Sequence, residues 1–158
     1  MNRSRLLKEI LSFALVIIIG GALYGGMQLF KDFNGKRAFA KTGLEPLTLT
    51  EAQKLSHETG KPILADLSAY WCTFCIKLDR EVLAHPAVNK IIREHYIFAR
   101  VDSEAEGASE FRHKYQAFTY PTVLALKPDG ELITKLPIVY DPEAFGDNLQ
   151  QVLNSQSL

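Results

Sequence analysis

A chain of 158 residues has room for one domain with its own core and an appendage. Hydrophobic residues make up 47% of it, which excludes a wholly disordered chain. Its 18 basic residues balance its 18 acidic ones and no long basic run appears, so nucleic acid is not an expected partner.

The first element is built for a membrane. Residues 10–30 form an uncharged run, and as a helix this run spans about 31 Å, close to the hydrocarbon thickness of a bilayer. Arg3, Arg5 and Lys8 precede it. The positive-inside rule then places residues 1–9 in the cytoplasm and the chain from residue 31 outside, although Lys31, Lys36 and Arg37 reduce the asymmetry. A cleaved signal peptide is the rival reading, because Ala38, Phe39 and Ala40 have the form of a cleavage site. However, Lys31, Asp32, Lys36 and Arg37 separate that site from the apolar run. The run also exceeds the usual signal core of about 7–15 residues, which favours an uncleaved signal-anchor over 10–30. Gly21 and Gly25 have a spacing that lets two spans approach, but glycine is common in spans in any case. Residues 31–45 are polar, contain Gly35 and Gly43, and show no sustained period. They are expected to be a flexible linker with a reach of about 20 Å.

Residues 46–158 are expected to form one soluble domain. A helix is predicted over 50–59, with Thr50 as N-cap, Gln53 completing a capping box, Gly60 at its C-terminal end and Pro62 beyond. A short apolar strand follows at 63–67. A helix runs from the cysteine pair to about Leu83 and is interrupted by His85 and Pro86. Pro86 fits the first position of the next helix, which carries Val88, Ile91 and Ile92 on one face. Residues 96–101 read as a strand, 109–115 as a short helix and 122–126 as a strand. Pro128, Asp129 and Gly130 signal a turn, with 131–136 as the hairpin partner. A closing helix is predicted over 142–153. This order implies an α/β fold with a central mixed sheet flanked by helices.

Cys72 and Cys75 are the only cysteines. A pair at i and i+3 on the first turn of a helix puts both sulfurs on one face, near enough to bond. The helix start offers unpaired N–H groups that stabilise a thiolate. Cys72 is therefore the expected attacking thiol and Cys75, one turn deeper, the resolving thiol. A purely structural bridge over two residues would restrict the unfolded chain little. The pair is also half of a zinc site, but His57, His85, His95 and His113 are scattered, so no metal is expected. No cofactor beyond the redox-active cysteine pair is called for.

The motif Trp71-Cys72-Thr73-Phe74-Cys75 after a strand containing Asp66, with Lys77, Asp79, Tyr120-Pro121-Thr122 and Gly130 downstream, resembles the thioredoxin fold. The likeness covers roughly 46–154. It lies nearest the C-terminal domain of the membrane reductase DsbD and related exported proteins. The resemblance implies that Asp66 exchanges a proton with Cys75, a role that suits an acid whose pKa burial raises. Asp79, one turn past Cys75, is a second acid of the DsbD-like pattern. Pro121 matches the family's cis-proline, whose loop packs on the cysteine motif and meets the substrate chain. Trp71, Thr73, Phe74 and Tyr120 are the further substrate-facing candidates. Thr73-Phe74 departs from the dipeptides of general thioredoxins and of the oxidant DsbA. The implied activity is thiol–disulfide exchange, mainly as a protein-disulfide reductase. The chain is expected in the inner (cytoplasmic) membrane with its domain facing the periplasm or exterior. Its expected partners are disulfide-containing exported proteins and a membrane electron donor of the DsbD or CcdA kind. The alternatives are an oxidase or isomerase with opposite electron flow, or a non-catalytic binding module.

Overall fold

The computed structural model describes residues 3–156, with side chains from Lys8 onward. The first two residues of the expected cytoplasmic segment 1–9 and the last two of the expected domain 46–158 lie outside the described residues. Helix α1 (Arg3–Ala40) is continuous over 38 residues. It is long and apolar enough to cross a membrane, and its apolar window is not covered by the protein.

The expected flexible linker over 31–45 is corrected by the structure. α1 continues through its first ten residues, and Phe39 and Leu44 enter the core. The physical reason is packing. No proline interrupts 31–45, and Gly35 lets the helix backbone lie directly against the backbone of Tyr70, where a Cβ would collide. Thr42 then closes the turn, its hydroxyl donating to the Phe39 carbonyl at 2.7 Å and accepting from the Leu44 N–H at 3.1 Å.

Helix α2 (Leu49–Thr59) has its N-cap two residues before the expected one. Thr48, not Thr50, is the N-cap, and Glu51, not Gln53, completes the box. The carboxylate of Glu51 accepts from the Thr48 N–H at 2.8 Å, which a charged group does better than an amide. Gly60 ends α2 in the left-handed region (φ 72°), as expected.

Among the described residues, four strands form a mixed sheet: β1 (Ile63–Ser68), β2 (Ile97–Asp102), β3 (Thr122–Leu126) and β4 (Leu132–Leu136). Their spatial order is β2-β1-β3-β4, with β1–β2 parallel and the other pairs antiparallel. Lys127 and Glu131 pair across the β3–β4 turn at 2.7 Å, so β4 starts one residue later than expected. Gly130 has φ 82°, the left-handed region that favours glycine at this turn.

Helices cover both faces. Helices α3 (Thr73–Leu78), α4 (Pro86–His95) and α6 (Pro142–Gln156) pack with the end of α1 on the face carrying Leu64, Phe98, Val123 and Ala125. On the other face α2 and α5 (Ala108–Tyr115) cover Ile63, Ala65, Leu67, Ala99 and Leu124. Residues 79–83, expected as the end of the cysteine helix, instead make a π-helical turn, closed by Ala84 N–H to Asp79 O at 2.9 Å. Asp79 begins that turn and is buried.

Candidate redox site

Cys72 is the N-cap of α3, and its sulfur accepts the Cys75 N–H at 3.2 Å. The two cysteines are joined as a disulfide with Cα atoms 5.2 Å apart, well within the reach of such a bond. Cys72 is 7% exposed and Cys75 1%, so the first sulfur lies nearer the surface and the second is sealed. The tight turn after β1, closed by Cys72 N–H to Ala69 O at 3.0 Å, places the pair at the C-terminal end of that strand. Thr73 and Phe74, between the cysteines, are exposed.

The Tyr120–Pro121 bond is cis, as expected for Pro121, which is buried. Tyr120 packs against Ala69, Cys72 and Cys75. Its ring also meets Trp71 edge-on at 6.2 Å, and its hydroxyl accepts from Arg112 Nη1 at 2.7 Å. The indole N–H of Trp71 donates to Glu104 at 2.9 Å. These bonds fix an aromatic rim beside Cys72. Arg112 and Glu104 were not legible as rim residues, because Glu104 lies 33 residues from Trp71 and Arg112 reaches Tyr120 from a different element.

Behind the disulfide lies a buried charge cluster. Asp66 and Arg100 are opposite one another in the β1–β2 register, so their side chains share a face. Arg100 Nη1 donates to Asp66 Oδ2 at 2.9 Å and to Asp79 Oδ1 at 2.7 Å, while Nη2 donates to Asp79 Oδ2 at 3.1 Å. All three side chains are almost inaccessible. Burial pushes the Asp66 carboxyl up to about 7; Arg100 pulls the other way and Asp79 adds to the rise. Burial also raises Asp79, against the hydrogen bonds and charge of Arg100 and the charge of Arg80. Asp66 Oδ1 has no hydrogen-bond partner among the described residues.

The structure thus brings Asp66 and Asp79 together around a residue that the sequence reading missed. The signal for Arg100 was present: it is a charged residue inside an apolar strand, the same sign that singled out Asp66. Phe39 from α1 stacks on Phe98 and lies 4.4 Å from the Arg100 guanidinium, roofing the cluster. The Tyr70 ring flanks the guanidinium at 5.3 Å.

A family model described as a thioredoxin-like domain matches residues 49–153. Thiol:disulfide interchange protein DsbD 1 of Pseudomonas aeruginosa is 28% identical over 102 residues, 64% of this chain and 17% of its own length. The DsbD of Haemophilus ducreyi is 27% identical over 146 residues, 87% of this chain and 25% of its own. The chain therefore spans a quarter or less of these curated relatives. Among solved structures, a thioredoxin from Thermus thermophilus gives a TM-score of 0.62 at 23% identity, covering 70% of this chain and 87% of that one. The oxidised C-terminal domain of DsbD from Neisseria meningitidis gives 0.56 at 20% identity, covering 68% and 98%. These two likenesses show the fold.

Proposed function

This chain belongs to the thioredoxin-like domain family, and from that premise we propose a membrane-anchored, exported thiol–disulfide oxidoreductase acting as a reductase. One observation carries the reading: a disulfide at the start of α3, backed by a buried acid and flanked by the cis-proline loop. The reductive direction draws its support from the likeness to DsbD, and the anchor from the apolar stretch of α1.

In the reduced form Cys72 is the nucleophile. The free N–H groups at the start of α3 favour its thiolate. That thiolate attacks one sulfur of a substrate disulfide, forms a mixed disulfide, and expels the other sulfur as a thiolate that takes up a proton. Cys75 then gives up its proton and attacks Cys72 Sγ. The second substrate thiol leaves, and the Cys72–Cys75 disulfide forms. Two electrons and two protons pass to the substrate. Asp66, held in the buried cluster with Asp79 and Arg100, takes the Cys75 proton, and burial tunes it to a pH range where it can exchange one. Trp71, Thr73, Phe74, Tyr120 and Pro121 present the surface on which the substrate chain lies. Substrates are disulfides of exported proteins. The pair is reset by a membrane dithiol donor of the DsbD or CcdA kind.

Reduction of insulin disulfides by the purified protein with dithiothreitol tests this. Cys72→Ser should abolish the catalysed rate. A rate that survives the substitution would argue for a non-catalytic binding module.

A further inference from the structure

α1 does not stop where its apolar run stops. Its last turns are fastened to the domain by Gly35 against Tyr70, Lys36 over the Tyr70 ring, and Phe39 on Phe98 and Arg100. One turn nearer the N-terminus, Gln28 and Asp32 line a cleft of about 340 Å³ together with Trp71 and Glu104. Trp71, the residue before Cys72, therefore stands beside the helix at the height of residues 28–32.

That height coincides with the outer end of the apolar run, where a bilayer edge fits. Residues 10–27 as helix span about 27 Å, nearly the whole hydrocarbon core. The edge cannot move further along the chain, because the carboxylates of Asp32 and Glu104 would enter hydrocarbon. It therefore falls between Gln28 and Phe30. A continuous helix transmits this height to the domain without slack. Tryptophan is also a side chain that favours the headgroup layer. Trp71 is 40% exposed and Phe74 63%.

We propose that the rim of the disulfide, with Trp71 foremost, seats in the lipid headgroup layer, so that Cys72 works at the bilayer surface. The inference rests on the anchored reading above. It restricts the pair to disulfides presented at that surface.

Trp71 is the one tryptophan of the sequence, so the emission of the full chain reports on it alone. In phosphatidylcholine vesicles, a nitroxide on the lipid headgroup should remove most of that emission, and a nitroxide near the chain ends little. Seven polar, helix-forming residues inserted between Met27 and Gln28 raise the domain by about 10 Å and turn it by only about 20°. That insertion should release Trp71 from the headgroup quencher. Three outcomes overturn the inference while leaving the anchor intact, provided the protein stays with the vesicles through an alkaline carbonate wash. These are unquenched emission, strongest quenching from the chain ends, and quenching that the insertion leaves unchanged. Protein released by the wash overturns the anchor and the inference together.

Discussion

Arg100 stands between two carboxyl groups from different elements and is itself held charged, since Asp66 and Asp79 outweigh the effect of its own burial. Burial disfavours the Asp66 carboxylate more than Arg100 stabilises it, and Asp79 adds to the rise, so the proton on Asp66 is retained to about pH 7 instead of the ordinary 3.8. The folded state thus binds a proton that the unfolded chain has already lost. Stability from this group is intact below about pH 4 and declines as pH rises towards 7, by about 1.4 kcal/mol per pH unit and on the order of 4 kcal/mol in all. Asp66→Asn should remove most of that decline when unfolding of the oxidised protein is followed in denaturant from pH 4 to 8. Asp79 supplies what remains, because its pKa is also raised. A variant whose pH profile overlays the native one would sink this account. At the same scale, Cys72, Cys75, Asp66 and Pro121 are legible in the sequence because each breaks its local pattern. Arg100 breaks its pattern too, but its meaning depends on the β1–β2 register, which no local signal supplies. Asp79 was legible as an acid one turn past Cys75. Its burial depends on the π-helical turn, to which the spacing gives no clue.

The decisive element is the end of α1. Read alone, 31–45 is polar and unperiodic, and the expectation of a tether follows. Its buried residues are few: Gly35, Ala38, Phe39, Thr42 and Leu44. The stripe is too short to stand out against Lys31, Asp32, Lys36 and Arg37 on the helix and Lys41 just past its end. Intrinsic propensity at Asn34 and Gly35 is overridden by tertiary packing. Phe39→Ala should therefore lower the stability of the detergent-solubilised chain by about 3 kcal/mol, the cost of emptying a buried aromatic site. A loss within about 0.5 kcal/mol, as for a surface site, would restore the tether reading. The remaining elements follow the predicted order closely because strong punctuation marks them: Gly60 and Pro62 before β1, Pro86 at α4, Pro128-Asp129-Gly130 between β3 and β4, and Pro142 at α6. The start of α2 moved because Thr48-Glu51 and Thr50-Gln53 are both valid boxes in sequence, and the carboxylate prevails.

At the scale of the molecule, one continuous helix joins a membrane-length apolar stretch to a redox domain, and its end roofs the charge cluster behind the disulfide. On the proposed function, a site so held would serve disulfides close to a membrane and would draw its electrons from a nearby donor. The direction of flow is the central claim, because every part of the site would run equally well in reverse. Alkylation of free thiols in living cells, with a reagent that adds mass to each cysteine, reads it directly. A reductase should have Cys72 and Cys75 mostly reduced in the growing cell. A pair found mostly as the disulfide would contradict that direction and assign the protein to oxidation instead.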